Sequence, residues 1–376
     1  MLGICSIILS LPLVVSIVIF IITLLVLLIF KYLRLYIQFV YPNAKYEAIG
    51  NRFVVEKELI NLSESKSLHN LKEILNNYKD YKITGDDARA LQSSLDEHLV
   101  SMIEMMKNDS PRVIHRFYDL YLEWLHLPFI KNTVKMILLG RGADFDKSFI
   151  ERVKHDKTRL VLKELFNVSK RDELVTILNR YGYDDVTMAL LSEEYDLLKV
   201  DTAFDRYMLK GLKDLKIPSK CMNAKRDFLY LLTDVLIIKG VLRAKNLGYD
   251  YNRCLVLDLG VGNEIQPWRF QSMIKANNIM EVVESLEGTS YHDILKANMD
   301  LYKQTGSLQV LESTLDRCIL KKIKDISLRY YQTMGPLLRF LVSKEYEVRN
   351  LKVIIKNIDS RMPYEQVKAL LVIEEG

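Results

Sequence analysis

The chain has 376 residues, with 53 basic and 48 acidic side chains and a net charge of +5. No Asp, Glu, Lys, Arg or His occurs between Met1 and Phe30, so every charge falls in the remainder, at a density normal for a globular region of two or three domains. With only 15 Gly and 8 Pro, the chain is poor in turn formers, which argues against a many-stranded sandwich or barrel and against Gly-rich phosphate loops. The mild charge balance and the lack of a basic run exclude an extended nucleic-acid-binding surface.

The first element is an uncharged run of 27 residues, Ile4 to Phe30, dominated by Ile, Leu and Val. As a helix it would extend about 40 Å, enough to cross a hydrocarbon core of about 30 Å. The run is too long for a signal peptide, has no basic segment before it, and lacks a small-residue cleavage site after it. Pro12 sits in the first turns of this helix or bends them. Lys31, Arg34 and Lys45 follow the span, so the positive-inside rule places the C-terminal body in the cytoplasm. Four cysteines, Cys5, Cys221, Cys254 and Cys318, are widely spaced and form no Cys-x-x-Cys pair, which reads as reduced core residues in a cytosolic body.

Beyond the span the sequence reads as helices. Apolar residues recur at spacings of three and four, as in Leu68, Leu71, Ile74, Leu75 and in Leu174, Ile177, Leu178. The body also repeats itself. Asp205 to Asp214 (DRYMLKGLKD) lies over Asp316 to Asp325 (DRCILKKIKD) with six of ten positions identical, at an offset of 111. The same offset pairs Asp234 with Glu345, and Lys245-Asn246 with Lys356-Asn357. A weaker first copy begins at Leu95-Asp96, with Leu99 and Ile103 in the same apolar phase. Its second helix is expected at Phe129 to Gly140, with Asn132 near the place of Asn350. Three similar units form a ring, a funnel or a short superhelix, and the sequence does not choose between them.

Candidate chemistry is sparse. Cys254-Leu-Val-Leu-Asp258-Leu-Gly260-Val-Gly262-Asn263 imitates the first strand and turn of S-adenosylmethionine-dependent methyltransferases, with Glu281 or Glu284 at the distance of a ribose-holding carboxylate. The context opposes it, since Pro267 onward is helical in pattern and the counterpart at the offset, Glu365 to Glu374, is helix-like. His69, His98, His115, His126, His155 and His292 make no His-x-x-x-His or Glu-x-x-His pair, so no metal site is signalled. No nucleophile elbow or Walker loop occurs. The repeated Asp-Arg…Lys…Lys-Asp pattern reads as a solvated helix face with i,i+4 neighbours, Lys210 with Asp214 and Lys321 with Asp325.

At Gly335-Pro-Leu-Leu-Arg-Phe-Leu341 and Lys344-Glu-Tyr-Glu-Val-Arg-Asn-Leu351 the chain resembles the C subunit of the archaeal A-type ATP synthases, a family related to the V-type ATPase d subunit. Leu242-Arg-Ala-Lys245-Asn-Leu-Gly248 resembles the matching helix of the family's middle domain, Leu286-Glu-Gly-Thr-Ser-Tyr291 its Leu-x-Gly-Thr-x-Tyr element, and Tyr46 to Ile60 its opening helix. The resemblance covers Tyr46 to Gly376. It implies an all-α fold with three similar helical domains in a pseudo-threefold funnel, here preceded by one N-terminal transmembrane helix. The expected divisions are an anchor at 1–35 and repeat domains at 36–145, 146–260 and 261–376. It also implies a non-catalytic rotor role without a cofactor, a metal or a small-molecule substrate. The funnel would seat the central stalk on the membrane proteolipid ring, with membrane lipid as a further partner, and pass torque between a proton- or sodium-driven ring and the ATP-synthesising head. Glu345, Glu347, Arg349 and Asn350, with Asp205 and Asp316, become structural or contact residues. Lys239 departs from the repeat, standing where the third copy has Asn350, and the span departs from a family described mostly as peripheral. A rotor anchored in lipid beside the ring would collide with the stator, so the span is expected in the ring lumen. A membrane-tethered methyltransferase and a helical-repeat scaffold of another membrane complex are the competing readings.

Overall fold

A computed structural model describes residues 2–65, 67–141, 150, 153, 155–168, 170–192, 196–360, 367–368 and 370–374, with the backbone alone for 2–14, 31 and 32. The described residues are helical with no strand. In chain order the helices are α1 (Leu2–Ile49), α2 (Glu56–Ser63), α3 (Leu68–Asn76), α4 (Ala88–Asp109), α5 (His115–Leu138), α6 (Asp156–Leu165), α7 (Arg171–Arg180), α8 (Asp184–Leu191) and α9 (Leu197–Asp214). They continue with α10 (Ser219–Asn246), α11 (Tyr251–Cys254), α12 (Pro267–Lys275), α13 (Ile279–Glu284), α14 (His292–Ala297), α15 (Met299–Thr305), α16 (Gln309–Arg329) and α17 (Gly335–Ser360). Several starts are fixed by side-chain caps, which satisfy amide groups that have no partner within the helix. Ser67, Asp87, Asp196 and Asn278 accept from Asn70, Ala90, Lys199 and Glu281 respectively.

Three boundaries differ from the sequence expectation. Tyr46 to Ile60 is not one helix: α1 stops at Gly50, whose φ of 65° is left-handed, and α2 begins at Glu56. The second helix of the first copy begins at His115, not Phe129, because Pro128 lies inside α5 and does not end it. Leu371 to Glu374 are not helical. The Asn350 side chain donates to the Val372 carbonyl at 2.7 Å and accepts its N–H at 2.8 Å, taking both backbone groups that a helix would use. Glu365, Gln366 and Ala369 lie outside the described residues.

Six long helices form three hairpins, α4–α5, α9–α10 and α16–α17, and each hairpin packs on the next. The contacts run α4, α5, α9, α10, α16, α17 and back to α4, a closed cycle. The shorter helices follow the same order: α6 and α7 pack on α5, α12 and α13 on α10, and α2 and α3 on α17. One apolar core joins α1–α4, the start of α5 and one side of α9 to α10–α17, and a second fills the space between the rest of α5, α6–α8 and the other side of α9. Tyr121, Trp124, Phe228, Lys239, Glu345 and Arg349 are among the residues lining a cavity of about 180 Å³ where α5, α10 and α17 converge.

Candidate interaction sites and internal joints

The repeated aspartates are joints between hairpins. Lys131 of α5 donates to Asp205 of α9 at 2.5 Å, Lys239 of α10 donates to Asp316 of α16 at 2.6 Å, and Lys352 of α17 donates to Asp96 of α4. Each hairpin's second helix thus sends a lysine to the same place on the next hairpin's first helix. The solvated-face reading of the Asp-Arg…Lys-Asp pattern holds for only half of it. Lys210, Asp214, Lys321 and Asp325 are exposed, but the Asp316 side chain is 2% exposed. Its carboxylate also accepts from Tyr346 at 2.9 Å and Arg349 at 2.7 Å. Burial pushes the Asp316 carboxyl up, yet Lys239 and Arg349, with the Lys239 and Tyr346 hydrogen bonds, outweigh it and hold the group below the ordinary aspartate range. Arg206 and Arg317, the partners in the Asp-Arg pairs, reach the backbone carbonyls of Val256 and Leu371.

Asp316, Glu345 and Arg349 meet at the central cavity. Glu345 accepts from the Tyr121 hydroxyl, and burial holds its carboxyl above the ordinary glutamate range despite that bond. Glu347 and Asn350 instead bind the chain's two ends together. Glu347 accepts from the Phe53 amide at 3.0 Å, from Lys344 at 2.5 Å and from the Tyr81 hydroxyl, while Asn350 donates to the Phe53 carbonyl at 2.9 Å. Asp205 stands apart, at the α5–α9 contact. Asn132 is exposed and does not share the role of Asn350.

A second set of joints was not visible in the sequence. Each hairpin's second helix carries a buried carboxylate that receives a tyrosine from the group of short helices packed on it. Tyr291 donates to Asp234 at 3.2 Å, Tyr183 approaches Glu123 at 3.5 Å, and Tyr81 donates to Glu347. By these bonds Asp234 corresponds to Glu347, two residues beyond the Glu345 that the fixed offset selects. All three tyrosine rings are buried. Glu123 also accepts from Lys157 at 2.7 Å and Tyr207 at 2.9 Å. Asp234 accepts the amides of Glu264 and Ile265, both at 2.9 Å. Burial raises the Asp234 carboxyl above its ordinary range, against the pull of those amides and the tyrosine.

The Asp258 to Gly262 turn has no cofactor-loop context. It follows α11 and a short 3-10 turn rather than a strand. A Cβ on Gly262 would lie 1.9 Å from Asp234 Oδ1, so this glycine serves the close approach of the buried carboxylate. Glu281 caps its own helix start, accepting from Asn277 and Asn278, and Glu284 pairs with Lys296 at 3.2 Å. Neither is aimed at the glycine turn, and the methyltransferase reading falls with them. Cys221, Cys254 and Cys318 are buried cysteines, and burial pushes the Cys221 thiol up to about 11.

Residues 42–370 match the family described as ATP synthase (C/AC39) subunit. Among similar proteins is the A-type ATP synthase C subunit of Methanocaldococcus jannaschii, 28% identical over 345 residues (89% of this chain, 86% of that protein). Its counterpart in Methanothermobacter thermautotrophicus is 28% identical over 340 residues (89% and 87%). The one from Pyrococcus horikoshii is 27% identical over 345 residues (89% and 90%).

Proposed function

Because the chain belongs to the C/AC39 family of ATP synthase subunits, a structural and non-catalytic part of the rotary complex, we infer that it is the rotor coupler between the membrane proteolipid ring and the central stalk. The body forms a pseudo-threefold funnel from units at 36–145, 146–260 and 261–376, on an anchor at 1–35. It sits on the cytoplasmic side of the cell membrane. The funnel seats on the ring, receives the foot of the stalk and passes torque from ion flow to the head that makes ATP from ADP. Its partners are the ring, the stalk subunits and membrane lipid; nucleic acid and small-molecule substrates have no part in it.

The supporting observation is the closed cycle of hairpins, each joined to the next by the same lysine–aspartate contact and each holding a tyrosine from the short helices packed on it. A body that carries load between two partners must resist shear, and a closed cycle has no free end at which its helices can peel apart. The test is a mild-detergent pull-down of the full-length protein from native membranes, with mass spectrometry of what accompanies it. Recovery of proteolipid with stalk and catalytic subunits is the expected result. A clean preparation lacking all of them overturns the reading and leaves a scaffold of some other membrane complex.

A further inference from the structure

The helix that carries the apolar span does not end at the membrane surface. α1 runs without interruption from Leu2 to Ile49, and no Gly or Pro occurs between Leu13 and Tyr41. Its outer part exposes apolar side chains on every face: Phe20, Ile21, Ile22, Leu24 and Leu25 are successive examples, each about half exposed or more. The Thr23 hydroxyl donates to the Ile19 carbonyl at 2.8 Å, which satisfies its own polar group inside the helix. The inner part is bound into the body, where Phe39 and Tyr46 are fully buried and the Tyr46 ring lies 4.9 Å from that of Phe340. Span and body therefore turn as one piece, with no linker to let one rotate without the other.

The place where α1 leaves the body is set by all three hairpins. At the α4–α5 end, Lys45 and Tyr46 both donate to Asp109 at 2.6 Å. At the α9–α10 end, the Lys220 ammonium lies 4.1 Å from the centre of the Tyr36 ring. At the α16–α17 end, the Asn43 amide donates to the carbonyls of Tyr331 and Thr333, both at 2.9 Å. A rod in contact with the ends of all three hairpins emerges from among them, not from the flank of the body. Around it the three turns expose a mixed basic and apolar rim, Arg112 and Val113, Lys216 and Met222, Arg329 and Tyr331.

We propose that the α1 span is an axial pin, enclosed by the ring of small membrane subunits on which the three hairpin ends sit. This rests on the rotor-coupler reading and adds to it the position of the membrane helix. A span welded to a rotating body and displaced from the axis would sweep a circle through the membrane and strike whatever is stationary beside the ring. A span on the axis only spins. Its lack of charge on every face matches an apolar inner wall, which offers no partner to a buried ion.

The test places a photo-crosslinking amino acid at Phe20 or at Ile22 of the full chain in the intact complex. The two positions are about 200° apart around the helix. Matching probes at Val113, Met222 and Tyr331 report on the rim. An axial pin gives adducts to the ring subunit from both Phe20 and Ile22, and none to a stationary membrane subunit. Adducts to a stationary subunit, to a second copy of this chain or to lipid alone, or adducts from one face only, overturn the proposal. If the rim probes reach the ring while the span probes do not, the seating of the body stands and the axial pin is refuted. If neither set reaches the ring, the rotor-coupler reading fails with it.

Discussion

Replacing Gly262 with alanine separates a structural glycine from a ligand-binding one. The added Cβ would sit 1.9 Å from Asp234 Oδ1 and 2.9 Å from its carboxyl carbon. Ordinary contact needs about 3.5 Å, so the loop or the carboxylate must move by more than an ångström. The Glu264 and Ile265 amides, both 2.9 Å from the carboxylate, then pass out of hydrogen-bond range. Each bond to a charged acceptor contributes about 1.5–3 kcal/mol, so losing both costs roughly 3–6 kcal/mol and leaves a buried carboxylate with Tyr291 alone. Gly260 is the internal control. Its φ of 98° strains any L-residue, but nothing lies within 4 Å of an added Cβ. Gly260→Ala should therefore cost only the conformational penalty, about 1–2 kcal/mol. Thermal unfolding of the full chain in detergent, followed by circular dichroism, should place Gly262→Ala on the order of 10 °C below the parent and well below Gly260→Ala. Asp234→Ala, which removes the obstructing group, should make the further Gly262→Ala change nearly neutral. Equal melting of the two glycine variants would refute the close-approach argument.

Lys239→Met removes a 2.6 Å partner of the buried Asp316 and should destabilise the chain by about 3 kcal/mol. The Asp316 carboxyl is held low in the folded state, so its contribution is present above the ordinary aspartate pKa and lost as pH falls through the depressed value. The variant should start losing stability at a higher pH than the parent, and denaturation curves with an unchanged acid limb would contradict this. Tyr81→Phe deletes a donor to Glu347 at the joint between the first and last parts of the chain, for a loss of about 2 kcal/mol. Amide exchange should then quicken in α2 and α3 before α12 and α13; uniform acceleration would count against a local joint. Asn43→Leu removes both bonds to the α16–α17 turn and should speed exchange at residues 331–334, with the α9–α10 turn unchanged.

Local pattern carried much of this fold. Apolar spacing marked α3 and α7, where Leu71, Leu75, Leu174 and Leu178 are core residues, and the offset of 111 registered α9 on α16 because both present an Asp to a lysine from the preceding hairpin. Signals that depend on what lies across a contact were not legible. Pro128 ends a helix in most sequences, but here α5 is held on both sides by α4, α6 and α9 and continues through it. Gly260-Val-Gly262 looked like an S-adenosylmethionine turn because both uses need a glycine for close approach, and only Asp234, about 30 residues back in the chain, shows which. The Tyr81–Glu347 joint spans 266 residues and has no local pattern at all.

The two kinds of joint differ in what they fix. Apolar packing between hairpins supplies most of the adhesion, but the hydrophobic effect is non-directional and names no single partner. A buried carboxylate does, because a slip that strands it costs several kcal/mol. The joints at Glu123, Asp234 and Glu347 therefore act as register marks along α5, α10 and α17, each set by a tyrosine from outside its own hairpin. Two of the three connect segments 60 and 57 residues apart in the chain. The third connects the two ends of the body and closes the cycle, and Asn350 backs it by holding Phe53 and Val372 together. Closure there backs the contact that returns α17 to α4 and completes the cycle among the six long helices, a pairing between distant parts of the chain that the sequence repeat alone does not reveal.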